Sequence, residues 1–136
     1  MLLMEIWITE WALSSYLKLK CENVFDDRVY KEIIRPDVIR ILAYPNDLKF
    51  SQPKFWSIAQ GESGGMIPNG YKMKWHQVGS GRVQLRLTVG MFEKICFLCE
   101  AYVKRDQKFE KRMLARFKDH LRNISRGHYC IRGKLK

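Results

Sequence analysis

Between Tyr71 and Lys104 the chain alternates apolar and polar residues in three successive runs. The links between runs are too short to do anything but reverse direction. Side chains on a strand point to opposite faces with period two, so each run reads as a strand with one apolar and one polar face. In residues 82–89, Val83, Leu85, Leu87 and Val89 share a face, and Arg82, Gln84, Arg86 and Thr88 share the other. In residues 71–78, Tyr71, Met73, Trp75 and Gln77 alternate with Lys72, Lys74 and His76. In residues 95–104, Phe97, Cys99, Ala101 and Val103 alternate with Glu100, Tyr102 and Lys104. Gly79-Ser80-Gly81 is a hairpin loop and residues 90–94 are a turn, so the three strands are predicted to be neighbours in an antiparallel meander.

The flanking segments carry helical signals. Residues 5–9 are rich in β-formers and read as a first strand. From Thr9 or Glu10 onward, Ala12, Leu13, Tyr16, Leu17 and Leu19 recur near helical spacing. A second helix is predicted from Asp26-Asp27, whose carboxylates suit an N-cap and first turn, with Val29, Tyr30, Ile33 and Ile34 as its stripe. Pro36 either kinks that helix or begins another. Residues 45–70 have no clean period. Within them, residues 61–70 form a glycine-rich loop lacking the Gly-Lys-Ser/Thr of a phosphate-binding loop. A last helix is predicted over residues 107–124. It sets Phe109, Met113, Phe117, Leu121 and Ile124 on one face against Lys108, Lys111, Arg112, Lys118 and Arg122. The tail, residues 126–136, is basic and loose or short-stranded. The order β-α-α-β-β-β-α predicts one α+β domain over residues 1–136. Its small antiparallel-rich sheet is expected to carry helices on the apolar face and leave the polar face open.

Charge narrows the partner. The chain of 136 residues carries a net charge of +11. Residues 1–70 hold 8 Lys and Arg against 9 Asp and Glu, whereas residues 71–136 hold 17 against 5. An excess confined to the half that builds the meander points to a polyanion, RNA above all. No apolar run approaches the roughly 18 residues of a membrane span. The apolar start, Met1-Leu2-Leu3-Met4, lacks a basic n-region and is interrupted by Glu5, which predicts a cytoplasmic protein with no membrane partner. Cys96 and Cys99 are three apart on a strand, point to opposite faces and cannot share a metal. Neither a metal nor a cofactor is expected.

Aligned registers would gather Lys72, Lys74, His76, Gln84, Arg86, Glu100, Tyr102 and Lys104 on the open face. That set suits RNA cleavage without metal. Such cleavage needs the 2′-hydroxyl deprotonated, the pentavalent phosphate stabilised and the 5′-oxygen protonated. Arg86 and Lys104 supply charge-assisted hydrogen bonds to phosphate oxygens, and Lys72 and Lys74 assist. His76 is a candidate acid or base near neutral pH and Glu100 is a candidate base. Tyr102 is placed to stack on a base or donate a proton. Arg82, Gln84, Arg105 and Lys108 extend the RNA-binding surface. The same set also describes a groove that binds RNA without cutting it.

Two stretches carry a family resemblance. Residues 81–89, Gly-Arg-Val-Gln-Leu-Arg-Leu-Thr-Val, resemble the central strand of the RelE/ParE toxin superfamily, with Arg86 matching an Arg held between apolar residues. Residues 95–108, Ile-Cys-Phe-Leu-Cys-Glu-Ala-Tyr-Val-Lys-Arg-Asp-Gln-Lys, are similar to the strand that in this family precedes a basic helix such as residues 110–121. The nearest likeness is to HigB-like toxins of type II toxin–antitoxin systems, over residues 70–125. The resemblance implies an endoribonuclease that cleaves mRNA on the ribosome and is held in check by a cognate antitoxin. The ParE branch implies DNA gyrase as target instead. Residues 45–70 have no counterpart in the family pattern.

Overall fold

The computed structural model describes residues 4–61 and 64–136. Residues 1–3, and residues 62–63 of the expected loop at 61–70, lie outside the described residues. The meander is present and longer than its alternation suggested. Strands β3 (Met66–Val78), β4 (Val83–Phe92) and β5 (Ile95–Val103) pair antiparallel in sequence. Strand β1 (Glu5–Thr9) lies parallel to β5 and antiparallel to β6 (Ile131–Leu135), which the basic tail supplies. Strand β2 (Trp56–Gln60) emerges from the segment without a clean period and pairs with β3. The result is a mixed α+β fold around a six-stranded, mostly antiparallel sheet in the order β2-β3-β4-β5-β1-β6. Strand β2 escaped the periodicity because its register with β3 slips between Ile58 and Gln60, which breaks the two-residue repeat.

Helix α1 (Glu10–Cys21) begins where β1 stops covering β5. Thr9 makes the junction. Its hydroxyl donates to the Leu98 carbonyl at 2.7 Å and accepts from the Ala12 N–H at 3.1 Å, capping the helix. One helical turn on, Ser15 Oγ accepts the Ala101 N–H at 2.9 Å. Side chains of α1 thus satisfy edge groups of β5 that a strand would otherwise pair. The second helical region starts with α2 (Asp27–Val29), capped by Asp26. It passes through a π-helical turn at Tyr30–Ile34, then α3 (Arg35–Ile39), then a 3-10 turn at Arg40–Ala43. Pro36, with no N–H to give, falls just after the widened turn and the helix continues through it.

The expectation that helices pack on one face is corrected by helix α4 (Gln107–Ser125). Residues of α1 and α3 cover one side of the sheet, over Met73, Trp75, Leu85, Leu87, Val89, Cys96 and Leu98. Helix α4 covers the other side, where Phe117, Leu121 and Ile124 pack with Phe97, Cys99, Ala59 and Ile67. Its seat is a pair of glycines. Gly70 and Gly90 are register partners on β3 and β4. A Cβ at Gly90 would lie 2.7 Å from Leu121 Cδ2, and one at Gly70 would lie 2.8 Å from Phe117 Cε2. Only the missing side chains let the helix approach this closely. Cys96 and Cys99 do point into different layers, both buried and free. Among the described residues no helix is long and apolar enough to cross a membrane.

Helices α1 and α4 meet where Trp11 stacks on His120, with centroids 4.2 Å apart and planes 15° from parallel. Burial holds the His120 imidazole down to about 4, and its Nδ1 has no hydrogen-bond partner among the described residues. The unfolded chain therefore takes up this proton first. The contribution is complete above about pH 6.5 and is lost as pH falls through about 4, roughly 3 kcal/mol in total. His120→Phe keeps the stack and the packing, so its unfolding free energy should vary much less between pH 6.5 and 4 than the parent's in urea titrations. Gly90→Val should cost about 1–3 kcal/mol by overpacking against Leu121, read in the same titrations at pH 7.

Candidate functional site

Asp106 fixes where α4 starts, its carboxylate accepting the Phe109 N–H at 2.8 Å. The helix then runs back over the sheet. Its later turns sit on the apolar part of this face, and its first turn sits on the polar part. There the strands align Lys74 with Arg86 and Arg86 with Tyr102 in one row. In the next row Lys72 aligns with Thr88 and Thr88 with Glu100. The register shift after Thr88 puts a bulge in β5 at Cys99. As a result Phe97, Cys99, Glu100 and Tyr102 all face α4, whereas strict alternation had grouped Phe97 and Cys99 with Ala101.

Beside α4 lies a groove of about 440 Å³, lined by Ser57 and Gln60 of β2, Lys72 and Lys74 of β3, and Glu110 and Lys111 of α4. Glu110 Oε1 takes a 2.7 Å hydrogen bond from the Tyr102 hydroxyl and a 3.2 Å contact from Lys72 Nζ. Arg86 lies beneath, only 5% exposed. It donates to the Leu85 carbonyl at 3.2 Å, the Trp75 carbonyl at 3.4 Å and Gln84 Oε1 at 3.0 Å, and forms no ion pair among the described residues.

Among the described residues, positive charge here exceeds its compensation. Burial, followed by the charges of Lys72, Arg86 and Lys104, holds the Lys74 ammonium below its ordinary range. Burial also lowers Arg86, against the opposing pull of Glu110 and Tyr102. Burial and the bond to Glu110 push the Tyr102 phenol well above its usual range, so it remains a proton donor at neutral pH. Like charges held together cost stability and store affinity for an anion.

The structure brings together Lys72, Lys74, Arg86, Tyr102 and Lys104 from the sequence-predicted set, with Lys104 on the exposed segment after β5 and its N–H bonded to the Gln84 carbonyl at 2.8 Å. Arg86 and Tyr102, both expected on an open face, are instead buried, and Tyr102 packs under Phe109 with its hydroxyl on Glu110, so its ring is not free to stack on a base. His76 does not line the groove. Its Nε2 lies 2.8 Å from the Lys54 carbonyl, at the rim toward β2. Glu100 lies across α4, in a separate cleft of about 650 Å³ between α1 and α4, bonded to Arg116 at 2.7 Å. Arg105 lines that same cleft, over the Phe109 ring. Arg82 is tied to Gln77 in the β3–β4 turn, and Lys108 is exposed on α4. Sequence reasoning missed Glu110, although it is the only acidic residue between Gln107 and Lys118.

Comparison of the chain with family models, with curated proteins and with solved structures gives no match. The function is therefore argued from the groove's own chemistry. Its clearest signature is titration. With lysines carrying ¹³C-methyl labels, NMR should show Lys74 titrating below 10.5, and Lys72→Gln should move that titration upward by removing a like charge.

Proposed function

We propose that this chain is a toxin-type endoribonuclease that grips the phosphodiester backbone of mRNA in the groove between β3 and α4. The observation that carries the reading is that Lys72 and Lys74 line the groove beside the row that holds Arg86, with the charge of Lys104 acting on Lys74, while Glu110 pairs with Lys72. A phosphodiester supplies the missing negative charge, and lysine ammonium groups bond its non-bridging oxygens. The resemblance of residues 81–108 to RelE/ParE toxins supplies the reaction class and the expected partners: mRNA, the ribosome and a cognate antitoxin. In a metal-independent route the 2′-hydroxyl loses its proton, its oxygen attacks phosphorus, and the 5′-oxygen leaves with a proton. The products are a 2′,3′-cyclic phosphate and a 5′-hydroxyl. Lys74 is the candidate base, because it lines the groove and burial and neighbouring cations hold its ammonium below its ordinary range. Lys72 and Lys104 bear on the developing charge of the pentavalent phosphate, and Arg86 adds a fixed positive field from below.

A second reading has its own support. His76 and Glu100 stand away from the groove, which suits a module that binds RNA or the ribosome without cutting. One pair of measurements separates the two. The first is single-stranded RNA binding against salt, and the second is the 5′ ends produced from mRNA on translating ribosomes. Lys72→Gln/Lys74→Gln should weaken binding and reduce the salt slope by about 0.7 per lost phosphate contact. Lys74→Gln alone should lower cleavage by at least about tenfold. Binding that depends on both lysines, with no cleavage by the parent, would leave the non-catalytic reading standing. Binding indifferent to both would remove the groove from consideration.

A further inference from the structure

We propose that Glu110 is a built-in occupant of the phosphate site, so that RNA enters by displacing this carboxylate and lifting the first turn of α4. The inference rests on reading the groove as a phosphate site and adds its regulation. Glu110 reaches the sheet from the helix that roofs it, not from the strands that carry the cations. Its Oε1 takes the two donors that best suit a phosphoryl oxygen, the Lys72 ammonium at 3.2 Å and the Tyr102 hydroxyl at 2.7 Å. Its side chain is only 15% exposed and that of Lys72 only 18%. The other oxygen, Oε2, is buried without a hydrogen-bond partner among the described residues. A buried carboxylate oxygen left unpaired is costly. A carboxylate present simply to stabilise the fold would be expected to use both oxygens. One that stands in for a tetrahedral anion fills only part of a site shaped for more acceptors.

The surrounding charges fit the same account. One carboxylate neutralises one of the cations gathered at the site, and the Lys74 ammonium stays depressed with Glu110 in place. A phosphodiester seated against Lys72 and Tyr102 would face Lys74 as well, so the exchange is favourable once the strand has been captured by the exposed lysines. Helix α4 can yield at this end. Its anchor is the Phe117 and Leu121 contact with Gly70 and Gly90, two to three turns further on. The first turn holds to the sheet through Glu110 and the packing of Phe109 against Tyr102, with centroids 6.1 Å apart.

The test uses the full chain and a short single-stranded RNA with a non-cleavable 2′-O-methyl backbone, with fluorescence anisotropy as the readout. Glu110→Gln keeps the acceptor for Tyr102 and removes the charge. It should bind this RNA about tenfold more tightly than the parent, while the unfolding midpoint confirms that the variant is folded. Lys72→Gln/Lys74→Gln should bind more weakly in the same assay. Hydrogen exchange of the unsubstituted protein gives an independent readout, in which RNA should speed exchange in residues 109–113 and leave residues 117–124 unchanged. Equal or weaker binding by Glu110→Gln, with the lysine variant still impaired, would overturn the displacement while sparing the groove. RNA that slows exchange in residues 109–113 would overturn it too. A lysine variant that binds as the parent does would bring down the groove reading, and this inference with it.

Discussion

The close contact of α4 with the glycine pair on β3 and β4 is the constraint on which the rest depends. Gly70 and Gly90 sit side by side, and a Cβ at either would crowd the Phe117 and Leu121 side chains that reach the sheet there. That contact fixes the distance and the line along which the helix crosses. The crossing line then decides which half of the face is sealed in an apolar layer and which half keeps its lysines. Had α4 joined α1 and α3 on the other side, Arg86 and Tyr102 would lie open to solvent and the groove would have no second wall. Arg86 is buried on this same face, its guanidinium held by the Leu85 and Trp75 carbonyls and by Gln84.

Much of this was legible in the sequence. Period-two alternation located β3, β4 and β5, and the i, i+4 apolar stripe gave α4 nearly to its ends, because both signals come from elements with one face buried. The charge asymmetry likewise identified the half of the chain that builds the cationic surface. The side on which α4 packs was not legible. An amphipathic helix announces that it needs an apolar surface without saying which one, and the surface it found was disguised. Phe97 and Cys99 join that surface only because a bulge rotates β5, and Gly70 had read as the end of a glycine-rich loop. Strand β2 was hidden by a register slip of the same kind.

The candidate site divides in the same way. Lys72, Lys74, Arg86 and Tyr102 share a face by strand geometry alone and were found by it. His76 and Glu100 were assigned to that face by the same rule, yet local contacts direct them elsewhere: His76 to the Lys54 carbonyl and Glu100 to Arg116. Alternation gives the side of a sheet but not the direction of reach, which neighbouring elements settle. Glu110 came from an element outside the meander, and only the docked helix could reveal it.

The pairing of β1 with β6 has a consequence for how the chain acquires this form. Ile6 lies opposite Leu135, and Trp7 lies opposite Lys134 with its ring under that ammonium. Strands this far apart in sequence meet late, since the loop between them must close before any contact rewards it. During synthesis β1 would stand with an open hydrogen-bonding edge until residues 131–135 emerge. The nascent protein could therefore hold a formed β3–β5 meander while its outer edge is still unfinished.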